Sequence, residues 1–135
     1  MKICVLTNTF NEEKILPFFL DYYMNYVCVD KIIIIDGGST DNTLNILKEC
    51  PIVELITELS PLSVETEITK NRNEYWKKYR NDFDWIIVAD ADEFLYHPNL
   101  REKLIEYKNK NITIPLIKGY EMISKFFPDF KKGEY

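Results

Sequence analysis

The chain has 135 residues, room for one domain and too few for a second of ordinary size. Hydrophobic residues make up 46% and charged residues 29%, a balance that argues against a disordered chain. A formal charge of -5 argues against nucleic acid as a partner, because phosphate backbones are bound through basic surface. A small phosphorylated ligand stays open to an acidic protein when a metal ion neutralises the local charge.

Cys4, Cys28 and Cys50 form an odd set at spacings that match no zinc or redox motif. All three lie among apolar residues, so they are expected as buried free thiols in a reducing, cytoplasmic setting. The apolar stretch Ile3 to Leu6 is too short for a signal peptide, and no apolar run reaches the length of a membrane span.

Taken in order, Ile3 to Leu6 is an unbroken apolar run of the kind that suits a strand buried on both faces. Asn11 then reads as a helix N-cap, with Glu12 and Glu13 at the positive end of the helix and Pro17 in its first turn. Leu16, Phe19, Tyr23 and Tyr26 recur at helical spacing and mark its inner face. Lys31 to Ile35 is the second strand, ending at Asp36. A turn through Gly37-Gly38-Ser39-Thr40-Asp41 follows, with Ser39 or Thr40 expected to cap the next helix.

Leu44 and Leu47 face inward on that helix, and Cys50-Pro51 stops it. Residues 52–57 form the third strand, Val64 to about Tyr79 a long helix, and Trp85 to Ala89 the fourth strand, ending at Asp90. Leu100 to Tyr107 reads as a helix and Asn111 to Leu116 as a fifth strand. The alternation predicts a three-layer α/β domain with a mostly parallel sheet over residues 1–118, then a tail at 119–135 without clear periodicity.

Three strand ends gather small polar or acidic residues: Thr7 to Glu12, Asp36 to Asp41, and Asp90 to Glu93. Open parallel sheets bind ligands beyond the carboxyl ends of their strands, where the strand order reverses. An order of 3-2-1-4 would set Thr9 and Asn11 opposite Asp90 and Asp92 across one crevice. Two carboxylates separated by one small residue, Asp90-Ala91-Asp92, can both reach a hard cation such as Mg²⁺ or Mn²⁺, completed by ligand phosphates. With the strand context, a metal role outweighs mere loop decoration.

Asp36 caps no obvious helix, which favours a ligand contact. Arg72 falls within the stripe of Val64, Ile68, Tyr75 and Tyr79, so it either snorkels or faces a buried anion. His97, the lone histidine, reads as a surface loop residue rather than a third metal ligand.

Four segments, in order, resemble the family-2 glycosyltransferases and their GT-A relatives: Thr9-Phe10-Asn11-Glu12-Glu13, Asp36 to Thr43, Arg72-Asn73, and Trp85 to Phe94. The resemblance implies a GT-A fold and a UDP-, GDP- or dTDP-linked sugar donor. It also implies Mn²⁺ or Mg²⁺ as cofactor, transfer with inversion, and a glycan, lipid or protein acceptor. Residue by residue, it places Asn8, Thr9, Phe10, Asn11, Glu12 and Asp36 around the base and ribose, and Arg72 near the diphosphate. Asp90 would reach the ribose or a metal-bound water, Ala91 would sit between the acids, and Asp92 would ligate the metal.

Gly37 stands where the family often has a second acid, which leaves base selectivity open. Beyond Tyr107 only Glu121, Asp129 and Glu134 are acidic, and none sits in a recognisable motif, so no catalytic base is assigned. An active transferase and a donor-binding module that needs a further segment or partner both fit. A haloacid-dehalogenase-like phosphatase does not, because its acid pair follows the first strand rather than the fourth.

Overall fold

The apolar runs fold as parallel strands: β1 Ile3–Thr9, β2 Lys31–Asp36, β3 Val53–Thr57 and β4 Trp85–Val88. A computed structural model describes residues 1–58 and 64–133. The side chains of Val64, Glu65, Glu67, Ile68 and Arg72 lie outside the described residues. The sheet order is β3-β2-β1-β4, every pair parallel, which puts β1 and β4 side by side at the reversal point.

Side chains alternate across a strand, so the sheet feeds two separate apolar layers. Ile3, Val5, Ile32 and Ile34 pack with Leu16, Phe19, Tyr23, Leu47, Leu100 and Leu104. Those partners come from α1 (Leu16–Asp21), the turn that follows it, α2 (Thr43–Lys48) and α4 (Leu100–Asn109). Cys4, Leu6, Ile33 and Ile35 pack on the other face with Tyr75 of α3 (Val64–Tyr79). Each fully buried isoleucine or leucine contributes on the order of 2 kcal/mol through area removed from water. The double burial of β1 and β2 therefore anchors the strand ends above them. Among the described residues, no helix is long and apolar enough to cross a membrane.

Several local expectations are corrected. Asn11 caps no helix: α1 begins at Leu16, with Pro17 in its first turn, while Asn11 takes a left-handed φ of 57°. Asparagine tolerates that conformation better than most residues. Glu12 and Glu13 accordingly lie in the preceding loop. Neither Ser39 nor Thr40 caps α2, whose N-cap is Asn42 without a side-chain bond. Leu44 is only half-buried, and Cys28 is exposed rather than buried.

The segment 111–116 forms no strand. It leaves α4 through Asn111 at a left-handed φ of 54°, with the N–H of Ile112 donating to the Tyr107 carbonyl at 2.9 Å. Pro115 then removes a ladder donor. Ile114 and Leu116 stand in solvent. Further on, Phe127 and Phe130 set their ring edges against Phe18.

One helical segment reaches across to the loop after β4. Past α1 the chain widens into a single π-helical turn, Tyr22–Tyr26, closed by the Val27 N–H on the Tyr22 carbonyl at 3.0 Å. The Tyr22 and Tyr26 rings stack 4.9 Å apart. Their hydroxyls donate to the carbonyls of Leu95 at 3.0 Å and His97 at 3.5 Å. Tyr23, fully buried, donates to the Glu93 carbonyl at 3.1 Å and accepts from the Leu95 N–H at 3.3 Å. Burial pushes its phenol up to about 12, so the hydroxyl stays a neutral donor at every physiological pH.

Replacing Tyr23 by Phe keeps the ring and strands the main-chain groups of Glu93 and Leu95. The expected loss is about 1–2 kcal/mol, seen as a fall of several degrees in the thermal unfolding midpoint. An unchanged midpoint would show that the hydroxyl does not hold the loop.

Candidate functional site

Asp36 is the last residue of β2, in register with Thr9 of β1, and is 0% exposed. A carboxylate sealed from water is costly unless donors meet it. Here the N–H groups of Gly38 and Ser39 donate to Oδ2 at 2.8 and 3.0 Å, and the Ser39 hydroxyl donates to Oδ1 at 2.5 Å. Gly38 makes this tight return possible through a φ of 93°, which a side chain would resist. The N–H of Gly37 closes onto the Thr9 carbonyl at 3.0 Å. Asp36 thus grips the loop that follows β2.

A polar staple joins that loop to the one after β1. Asn11 Oδ1 accepts from the N–H of Thr40 at 2.8 Å and of Asp41 at 3.3 Å, while its own N–H donates to Ser39 Oγ at 2.9 Å. The N–H of Glu12 donates to Thr43 Oγ1 at 2.9 Å, and that of Glu13 to Asp41 Oδ2 at 3.2 Å. Burial alone would raise the Asp41 carboxyl, but hydrogen bonds from Thr43 and Glu13 outweigh it and hold the group below its ordinary value. Asn11 therefore brackets two loops. Phe10 beside it leaves its ring 51% exposed at the crevice.

On the other side, β4 hands over to the acid pair through the Ala89 N–H on the Leu6 carbonyl at 3.2 Å. Glu93 then closes the turn. Its N–H donates to the Asp90 carbonyl at 3.0 Å, and its Oε2 accepts from the Asp90 N–H at 2.9 Å. Ala91 is buried, Asp90 half-buried and Asp92 exposed.

Electrostatics links the three loops. The Glu12 carboxyl is raised above its ordinary value, first by burial and then by the negative charges of Asp92 and Asp41. Acids from β1, β2 and β4 thus share one field, and a divalent cation there would relieve their repulsion. Among the described residues, no three His, Cys, Asp or Glu side chains form a ready-made cation cage.

The remaining expected residues divide. His97 serves its own loop, its Nδ1 accepting from the Asn99 N–H at 3.0 Å. Arg72 lies on α3, with its side chain outside the described residues. Asn8 is half-buried at the end of β1, and Thr9 beside it buries a hydroxyl that has no partner among the described residues.

The sequence reading passed over Asn71. It is buried against the sheet and donates from Nδ2 to Asn8 Oδ1 at 3.2 Å. A signal was present, since Asn71 sits three residues after Ile68 and four before Tyr75, on the inner stripe of α3.

Comparison with curated proteins gives no match. The model of one family, Glycosyl transferase family 2, matches residues 4–130, a span that takes in all four strands and all three polar strand ends. With parallel strands, a reversal point between β1 and β4, and loop acids converging above it, the chain belongs to the glycosyl transferase family 2.

Proposed function

We propose that this glycosyltransferase takes its sugar from a nucleoside diphosphate sugar (UDP-, GDP- or dTDP-linked) in the crevice between the ends of β1, β2 and β4. The observation that carries this reading is the family match over residues 4–130, with a parallel sheet that brings the loops bearing Glu12, Asp41 and Asp92 to one end. Asn8, Thr9, Phe10, Asn11, Glu12 and Asp36 surround the base and ribose, Asn11 and Asp36 also tying the loops together. Asp90 and Asp92, set apart by Ala91, supply carboxylate oxygens for Mn²⁺ or Mg²⁺. That ion, when bound, neutralises charge on the departing nucleoside diphosphate. Arg72, carried on α3, is the residue assigned to the diphosphate as a charge-assisted donor. Transfer proceeds with inversion, as the family resemblance implies, to a glycan, lipid or protein acceptor.

A second reading has its own observation. Glu121 and Asp129 lie in an exposed, irregular segment. In that reading the chain binds the donor and takes its catalytic base from another segment or partner. Assaying sugar transfer and donor binding on one preparation separates the two, because a donor-binding module shows binding without transfer.

The metal assignment rests on Asp92, whose carboxylate can be neutralised with little change in shape. Calorimetry of Asp92→Asn should show nucleoside diphosphate binding that no longer responds to Mn²⁺, against clear stimulation in the unmodified chain. Stimulation of equal size in the variant would rule out Asp92 as a ligand.

Arg72→Met tests the diphosphate contact separately, since Met preserves length and helix preference. Affinity for the nucleoside diphosphate should fall about tenfold to a hundredfold, the equivalent of one charge-assisted bond. The ligand-free melting temperature should hold or rise. Unchanged affinity with altered stability would return Arg72 to a packing role.

A further inference from the structure

α3 carries a polar residue where its packing face calls for an apolar one. Asn71 is 4% exposed, one turn before the buried Tyr75, on the face turned to the sheet. Its Oδ1 is buried and has no partner among the described residues, while its Nδ2 donates to Asn8 Oδ1 at 3.2 Å. A leucine in that place would pack without leaving an unpaired acceptor.

The contact with Asn8 therefore needs a reason beyond stability, and the chemistry of the amide suggests one. A carboxamide offers an oxygen that accepts on one side and a nitrogen that donates on the other. With its oxygen engaged by Asn71, Asn8 has its nitrogen left for whatever enters the crevice. The reverse pairing would leave both N–H donors of Asn71 without a partner, whereas the observed one leaves its oxygen and one N–H, and an unmet N–H is the less readily tolerated of the two.

We infer that Asn71 is a positioning residue that fixes the orientation of the Asn8 amide. The crevice then offers a hydrogen-bond donor and selects a nucleobase with a keto oxygen over one with an amino group in the same place. This rests on the nucleotide-binding reading above and gives a physical ground for its preference for uridine, thymidine or guanosine diphosphates over those of cytidine and adenosine. Neither residue needs to touch the sugar or the acceptor for this selection to operate.

The test is calorimetric titration of four nucleotides with Mn²⁺, as two matched pairs: UDP against CDP, and GDP against ADP. Within a pair the ribose and diphosphate are identical, so the ratio of affinities reports the base edge alone. The unmodified chain should favour the keto member of at least one pair by about tenfold, the worth of one well-placed hydrogen bond against a mismatched one.

Asn71→Leu frees the Asn8 amide to turn, and the ratio should collapse to within about twofold, since either orientation then meets either base. Asn8→Asp keeps the pairing with Asn71 but presents only acceptors to the crevice, so the ratio should invert. That second variant changes a half-buried position and still reads the inference if Asn71→Leu fails to fold.

A purely structural Asn71 would weaken both members of each pair equally. An unchanged ratio in these variants therefore overturns the inference, as does equal binding of all four nucleotides by the unmodified chain, while the nucleotide reading stands. Binding of none of the four overturns both.

Discussion

The sealed carboxylate of Asp36 is the constraint on which the rest of the site depends. It sits at the top of a strand buried on both faces, where water cannot solvate it. Three donors from the next residues must therefore fold back over it. That return fixes where Ser39 and Thr40 stand, and Asn11 can bridge to them only because they stand there. The loop after β1 is thereby pinned to the loop after β2. The acids on it arrive at a set distance from the pair after β4. A change at Asp36 would be felt at Glu12 and Asp92 without any direct contact between them.

The opposite wall is held by a different kind of force. The loop through Glu93 to His97 lacks regular structure, and tyrosine hydroxyls from the π-helical turn hold its main chain. A regular α-helical turn would space those hydroxyls differently, which gives the widened turn a purpose in this fold. Aromatic rings supply the packing and their hydroxyls supply the satisfaction of buried carbonyls, so one segment does both. The acid pair sits directly before this clamped loop. Both walls of the crevice are therefore rigid, while Asp92 and the Phe10 ring stay open to solvent.

Much of this was legible in the sequence, for identifiable reasons. The isoleucine run of β2 and the apolar start of β1 announced doubly buried strands, and the polar residues at their ends marked the ligand side of a parallel sheet. What misled were residues with two competing uses. Asn11 looks like a helix cap, yet it serves the neighbouring loop thirty or so positions away, a contact that no local pattern encodes. Asp36 is plain in the sequence as an acid at a strand end, while its burial follows from a loop closure that only the fold reveals. Residues 111–116 have strand-like composition, and Pro115 together with the left-handed exit at Asn111 prevails. Asn71 stands next to Arg72 in α3, and a neutral amide on an inner helical stripe carries no charge signal of its own.

The central claim is that one crevice, built by the ends of β1, β2 and β4, holds a metal-bound nucleoside diphosphate. The most direct measurement is amide NMR of the labelled chain with UDP, GDP or dTDP, recorded before and after adding sub-stoichiometric Mn²⁺, whose unpaired electrons erase nearby signals. The account predicts selective loss of the amides of Asn11 and Glu12, Asp41, and Asp90 to Glu93, and only when one of these nucleotides is present. Loss centred instead on the exposed acids of α4, such as Glu102 and Glu106, or equal loss without nucleotide, would contradict it.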